Sequence, residues 1–260
     1  MHPAEVLLYT SGLILFWLMP LIAWILLKGQ RDLAARCWFA GTACYAAVAA
    51  VFVMQAVDPK WFYLTGMAFG STVMVLLLIK SMALELGSRG PGWDRIAALA
   101  VGIMLVDGTI HISLGPDAAR STHLAIISVL DATLLVFVVR VALLSRSRSL
   151  LFVIAILLPI LSLNIARVVT HAILDQPGDL SERTALSMAA FLANYVSVVF
   201  YSFGYWGFVI EKGRVALLRA IDDAGRARDG ESLALERERE TQALVRMRDE
   251  LIMRLGAMHR

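Results

Sequence analysis

Asn164, Arg167 and His171 lie at steps of three and four within the apolar run LLFVIAILLPILSLNIARVVTHAIL, residues 150–174. That spacing puts them on one face of a helix. The run is long enough to cross a bilayer, which needs about 20 apolar residues. A charged side chain at that depth costs from about 2.5 kcal/mol upward, so Arg167 must face a bundle interior and find a partner there. Other apolar segments carry Asp107 and His111 four apart, His123 and Asp131 on one stretch, and Asn194 on another. Three kinds of chemistry suit these residue types. A small, partly apolar organic molecule can be held by aromatic side chains with Arg167 and the histidines as polar anchors. His111, His171 and Asp107 offer a divalent-metal set, weakened because no His-x-x-x-His pair exists. The histidines, whose ordinary pKa is about 6.5, can exchange protons. The organic molecule ranks first, the metal second and the proton third. Arg167 is expected to pair with Asp107 or Asp131. The other carboxylate is then left to a proton, water, ligand or cation.

These residues need elements to hold them. The chain is 59% hydrophobic with a mean hydropathy of +0.71, against roughly 45–50% apolar in soluble domains. The apolar residues fall in blocks before about residue 210, and the remainder is charged. The expected fold is all-α: a polytopic bundle of seven transmembrane helices followed by a cytoplasmic coiled-coil helix. The spans are expected at residues 6–27, 37–54, 62–79, 96–114, 122–144, 150–174 and 184–210. Pro20 kinks the first. Ala and Gly in the second allow close helix approach. Spans one to three carry almost no ionisable residue at the depth of the others. The polar residues therefore point to one outward-opening cavity among spans four to seven. Cys37 and Cys44, a heptad apart on one helix, cannot reach disulfide distance and read as packing residues. No cleaved signal peptide is expected at the start, so the first span is retained.

Lys and Arg set the orientation. Lys28, Arg31, Arg36, Lys80, Arg89, Arg95, Arg140, Arg146, Arg148, Lys212, Arg214 and Arg219 fall on one side, and only Lys60, Arg120 and Arg183 on the other. The positive-inside rule puts the N-terminus outside and the C-terminus in the cytoplasm. The same distribution accounts for the net charge of +3 and the pI near 9.0 without nucleic acid. Three regions follow: a membrane domain at 1–210, a juxtamembrane linker at 211–230, and a signalling helix at 231–260. Gly225 and Gly230 lower helix propensity in the linker. Leu244, Met247, Leu251, Leu255 and Met258 repeat at three and four, a short coiled-coil seam expected to pair two copies in parallel, with Glu250 and Arg254 as an i,i+4 pair. Retinal is disfavoured because span seven carries no lysine; Lys212 lies past its end.

The closing segment RMRDELIMRLGAMHR resembles the connector that precedes the phosphoacceptor helix of bacterial sensor histidine kinases. The resemblance rests on Arg248-Asp249-Glu250-Leu251 through Leu255, and on His259-Arg260. It implies a membrane sensor region, truncated before the phosphoacceptor box. It further implies a dimer, a kinase core using ATP and Mg, and a response regulator as partner. No catalytic residue is expected within these 260 residues, and no cofactor beyond the divalent metal of the second reading. The ligand-binding candidates are Asp107, His111, His123, Asp131, Asn164, Arg167, His171 and Asn194. A transporter or channel would use the same residues as a pathway, but has no use for a coiled-coil tail.

Overall fold

The structure, a computed structural model, describes residues 18, 21–22, 24–25, 28–30, 32–54, 60–174 and 185–258. The chain is all-α among these residues. A short 3-10 turn at Lys28–Gln30 precedes α1 (Leu33–Met54), α2 (Lys60–Glu85), α3 (Trp93–Leu114), α4 (Pro116–Ser145), α5 (Arg148–Leu174) and α6 (Ala185–Met258). Four stretches are long and apolar enough to cross a membrane: Ala68–Glu85, Trp93–Leu114, Ser121–Ser145 and Arg148–Thr170. They coincide with the third to sixth expected spans. Seven spans are not evident among the described residues. The first expected span, with Pro20, lies largely outside them, while the second falls within α1 and nearly all of the seventh within α6.

Local chemistry sets the helix ends. Asp32 Oδ1 accepts the Ala35 N–H at 2.9 Å and caps α1. Ser147 Oγ accepts the Leu150 N–H at 3.2 Å at the start of α5. A single residue, Gly115, joins α3 to α4. Its φ of 91° suits glycine, its N–H bonds the His111 carbonyl, and Pro116 opens the next helix. That turn makes α3 and α4 antiparallel neighbours, so residues equally far from Gly115 lie side by side. Within the helices, hydroxyls return to the preceding turn. Thr109 donates to the Leu105 carbonyl at 2.8 Å and Ser128 to that of Leu124 at 2.7 Å. Polar groups are thereby satisfied locally, as an apolar setting requires.

The chain divides into two compact units, Met1–Ile210 and Glu211–Arg260. In the first, α1 packs on α2, α2 on α3 and α4, and α4 on both α3 and α5. The α6 residues of this unit meet α5 through Gly204 and Gly207, where a Cβ would collide with Val153 and Ser149. They meet α1 through Tyr205, which stacks on Trp38 with ring centroids 4.3 Å apart and planes 8° from parallel. Lys80, expected past the end of the third span, is instead buried. Helix α2 continues to Glu85. The Lys80 ammonium donates to the Pro91 carbonyl at 2.6 Å and sits 4.8 Å from the centre of the Trp93 ring. The chain leading into α3 thus folds back over the lysine and neutralises the cost of burying it.

The second unit is helical through Met258, and its described side chains from Arg214 onward are exposed. No break occurs at Gly225 or Gly230. Each glycine costs about 1 kcal/mol of helix propensity, but strong helix formers flank them and Arg226 pairs with Asp222 one turn back at 2.6 Å. Leu218, Ile221, Leu244 and Met247 are all exposed. The Glu250–Arg254 pair and the seam positions Leu251, Leu255 and Met258 lie outside the described side chains.

Candidate functional site

Asp107 stands seven residues before the end of α3, and His123 seven residues into α4. The antiparallel turn at Gly115 therefore puts them level, about 10 Å below the helix ends at 1.5 Å per residue. The Asp107 carboxylate is 3% exposed and its Oδ2 lies 2.8 Å from His123 Nδ1. The other ring nitrogen, Nε2, is 3.0 Å from Ser71 Oγ on α2. Ser71 also reaches the Ala68 carbonyl at 3.3 Å. With Nδ1–H donated to Asp107, Nε2 is free to accept the serine proton, a tautomer assigned from the network. Serine, histidine and carboxylate in a chain are the parts of a nucleophilic relay. Here Ser71 lies inside α2, where the neighbouring backbone N–H groups are spent on helical bonds and none is free for a developing oxyanion. The chain of contacts ties α2, α3 and α4 together.

A second centre lies two turns further along α4. Asp131, 9% exposed, interacts with the side chain of Asn164 on α5, itself 3% exposed. Tyr45 of α1 and Tyr201 of α6 are within electrostatic reach of the same carboxyl, and Ser197 hydrogen-bonds Tyr201 one turn away. Helix α4 thus holds one acidic partner on its α3 seam and presents another to α5.

The expected pairing of Arg167 with an aspartate does not form. Asp107 is engaged by His123 and Asp131 faces Asn164. No carboxylate comes close to the Arg167 guanidinium among the described residues, and its Nε is buried without a hydrogen-bond partner. The reason is topological. α4 packs against both α3 and α5, while α3 and α5 share no comparable seam. Asp107 is therefore remote from α5.

The eight expected residues fall into three groups. Asp107 and His123 form the first centre, with His111 a turn away on α3. Asp131 and Asn164 belong to the second, with Arg167 a turn beyond on α5. The side chains of His171 and Asn194 lie outside the described residues. Among the described side chains the candidates gather about these two centres. A groove of about 480 Å³ lies elsewhere, on apolar α3 and α4 surface at Leu99, Gly102, Val106 and Ile126. No group of three His, Cys, Asp or Glu side chains suited to a metal occurs among the described residues. Cys37 and Cys44 are free thiols.

Ser71, Tyr45, Tyr201 and Ser197 are absent from the sequence-derived set. The first two lie in helices expected to contribute nothing at this depth. Their hydroxyls are not ionisable near neutrality, so a search for charged residues passes over them. The available signal was the polar Ser71-Thr72 step inside an apolar stretch.

Four of the expected residues carry a buried polar atom with no hydrogen-bond partner: Asp107 Oδ1, His111 Nδ1, Asn164 Oδ1 and Arg167 Nε. Asp107 Oδ1 and His111 Nδ1 belong to the first centre, and Asn164 Oδ1 and Arg167 Nε to the second. No family model matches the chain, and comparisons with curated proteins and with solved structures find no match.

Proposed function

We propose that this chain is the membrane-embedded signal-sensing module of a bacterial two-component sensor histidine kinase. In this reading a small molecule is received by the polar residues of α4 and α5, at the centre of Asp131, Asn164 and Arg167. The membrane domain crosses the bilayer seven times with its N-terminus outside, and the tail is cytoplasmic and dimeric. The kinase core that uses ATP and Mg, and the response regulator it phosphorylates, belong to the same reading.

The observation that carries the proposal is the pair of partnerless buried atoms on Asn164 and Arg167. An unsatisfied polar group in hydrocarbon costs several kcal/mol. Retaining such atoms on the asparagine and the arginine of one centre is costly for a passive anchor and useful for a receptor. Two further features support it. Residues 246–260 resemble a kinase connector, and the helix assignment of α6 continues from Ala185 to Met258 without a break. A ligand that favours one packing of α3 to α5 would bias α6 and hence a two-state dimer.

The test joins Met1–Arg260 to the kinase core of a characterised sensor kinase and measures phosphotransfer in vesicles. Asp131→Asn, Asn164→Leu and Arg167→Gln are expected to lock or shift the output severalfold. A lipid-facing control, Val169→Ala, is expected to leave it unchanged. Equal output from all four variants and the parent would overturn the assignment.

A further inference from the structure

Building on that reading, we propose that Arg167 and Asn164 form the head-group site for an anionic amphiphile. The head is a carboxylate or phosphate, with a hydroxyl beside it and an apolar chain.

Arg167 follows Asn164 by three residues on α5, so the two side chains rise from one helical face with Cβ atoms about 5–6 Å apart. The guanidinium has a buried Nε with no partner and no carboxylate nearby among the described residues. Its sequence-expected counter-ions are both engaged elsewhere, Asp107 with His123 and Asp131 with Asn164. A cation at this depth needs an anion. The planar fork of arginine suits the two oxygens of a carboxylate or phosphate.

Asn164 defines the second feature. Its side chain is buried, and its Oδ1 accepts no hydrogen bond while the same amide interacts with Asp131. An acceptor beside an anion-binding arginine calls for a donor on the ligand. A hydroxyl two or three bonds from the head suits two side chains whose Cβ atoms are about 5–6 Å apart. Leu163 and Ile156, on the Arg167 face of the same helix, are half-buried and apolar, giving the chain of the amphiphile a surface to lie along.

The experiment uses Met1–Arg260 in lipid nanodiscs, titrated with four probes and read by native mass spectrometry or calorimetry. The probes are a long-chain 3-hydroxy acid, the plain acid, the methyl ester of the hydroxy acid, and a lysophosphatidate. The first, second and fourth separate a carboxylate head from a phosphate head. At least one anionic probe is expected to bind tenfold or more tightly than the ester. Arg167→Gln is expected to erase that difference. Arg167→Lys, which keeps the charge and loses the fork, is expected to weaken the anion severalfold and decides the matter if the glutamine variant does not fold. Asn164→Leu is expected to leave the plain acid unchanged and remove the gain from the hydroxyl. Acid and ester binding alike, no binding by any anionic probe, or wild-type affinity in both arginine variants would overturn the proposal. If binding fails while Arg167→Gln still shifts kinase output, the sensor reading stands with another signal. If the amphiphile binds and output never changes, the site stands and the sensor reading falls.

Discussion

Asp107 Oδ2 and His123 Nδ1 meet at 2.8 Å across the seam between α3 and α4. This contact sets the arrangement of the bundle's polar residues. It takes Asp107 out of reach of Arg167 and joins α3 through the histidine to Ser71 on α2.

The contact should be measurable as coupling. Asp107→Leu is expected to cost about 1–2 kcal/mol, since it strips a half-buried imidazole of its partner. The double variant with His123→Leu should recover part of that loss, with a coupling energy of about 0.5–2 kcal/mol. Ser71→Ala should cost about 1 kcal/mol or less. Unfolding of the purified protein in detergent gives these values. Strictly additive losses would contradict the pairing.

The α5–α6 seam is set by close approach at Gly204 and Gly207, where a Cβ would collide with Val153 and Ser149. Gly204→Val should destabilise the membrane unit by about 1–3 kcal/mol through overpacking. Thermal aggregation in detergent is the readout. By contrast, Gly225→Ala, where nothing lies near an added Cβ, should raise helicity in the tail by about 1 kcal/mol of propensity.

Tyr205 combines a stack on Trp38 with a hydroxyl 3.5 Å from Ser81 Oγ. Tyr205→Phe keeps the ring and should cost about 1 kcal/mol or less. Tyr205→Leu should cost about 0.5–1.5 kcal/mol more than its lost area implies, because ring–ring geometry adds to burial. Equal effects of the two substitutions on melting temperature would show that the stack contributes nothing.

Much of this architecture was legible in the sequence. The four apolar stretches lie where residue hydropathy puts them, because a span must be apolar whatever surrounds it. Asp107, Asp131, Asn164 and Arg167 were equally visible as polar residues at membrane depth. Their partners were not, since pairing depends on which helix α4 turns each face toward, and periodicity along one helix carries no such information. Ser71 and Tyr45 were missed because hydroxyls stand out little beside charges. The unbroken helix through Gly225 and Gly230 was missed for another reason: two glycines cost about 2 kcal/mol in total, less than their strongly helical neighbours supply.

The metal reading separates cleanly from the others. Asp107 Oδ2 is already taken by His123 Nδ1, so adding Zn²⁺ or chelator is expected to leave the melting temperature within about 1 °C, since a ligand stabilises only by its preference for the folded state. A stabilisation lost on His111→Ala and His171→Ala would reinstate the metal.

The most direct measurement is phosphotransfer by a kinase core driven from Met1–Arg260, compared between the parent, Arg167→Gln, Asn164→Leu and Val169→Ala in vesicles of one composition. The account predicts that the first two substitutions shift output severalfold while Val169→Ala does not. Identical output from all four would contradict it.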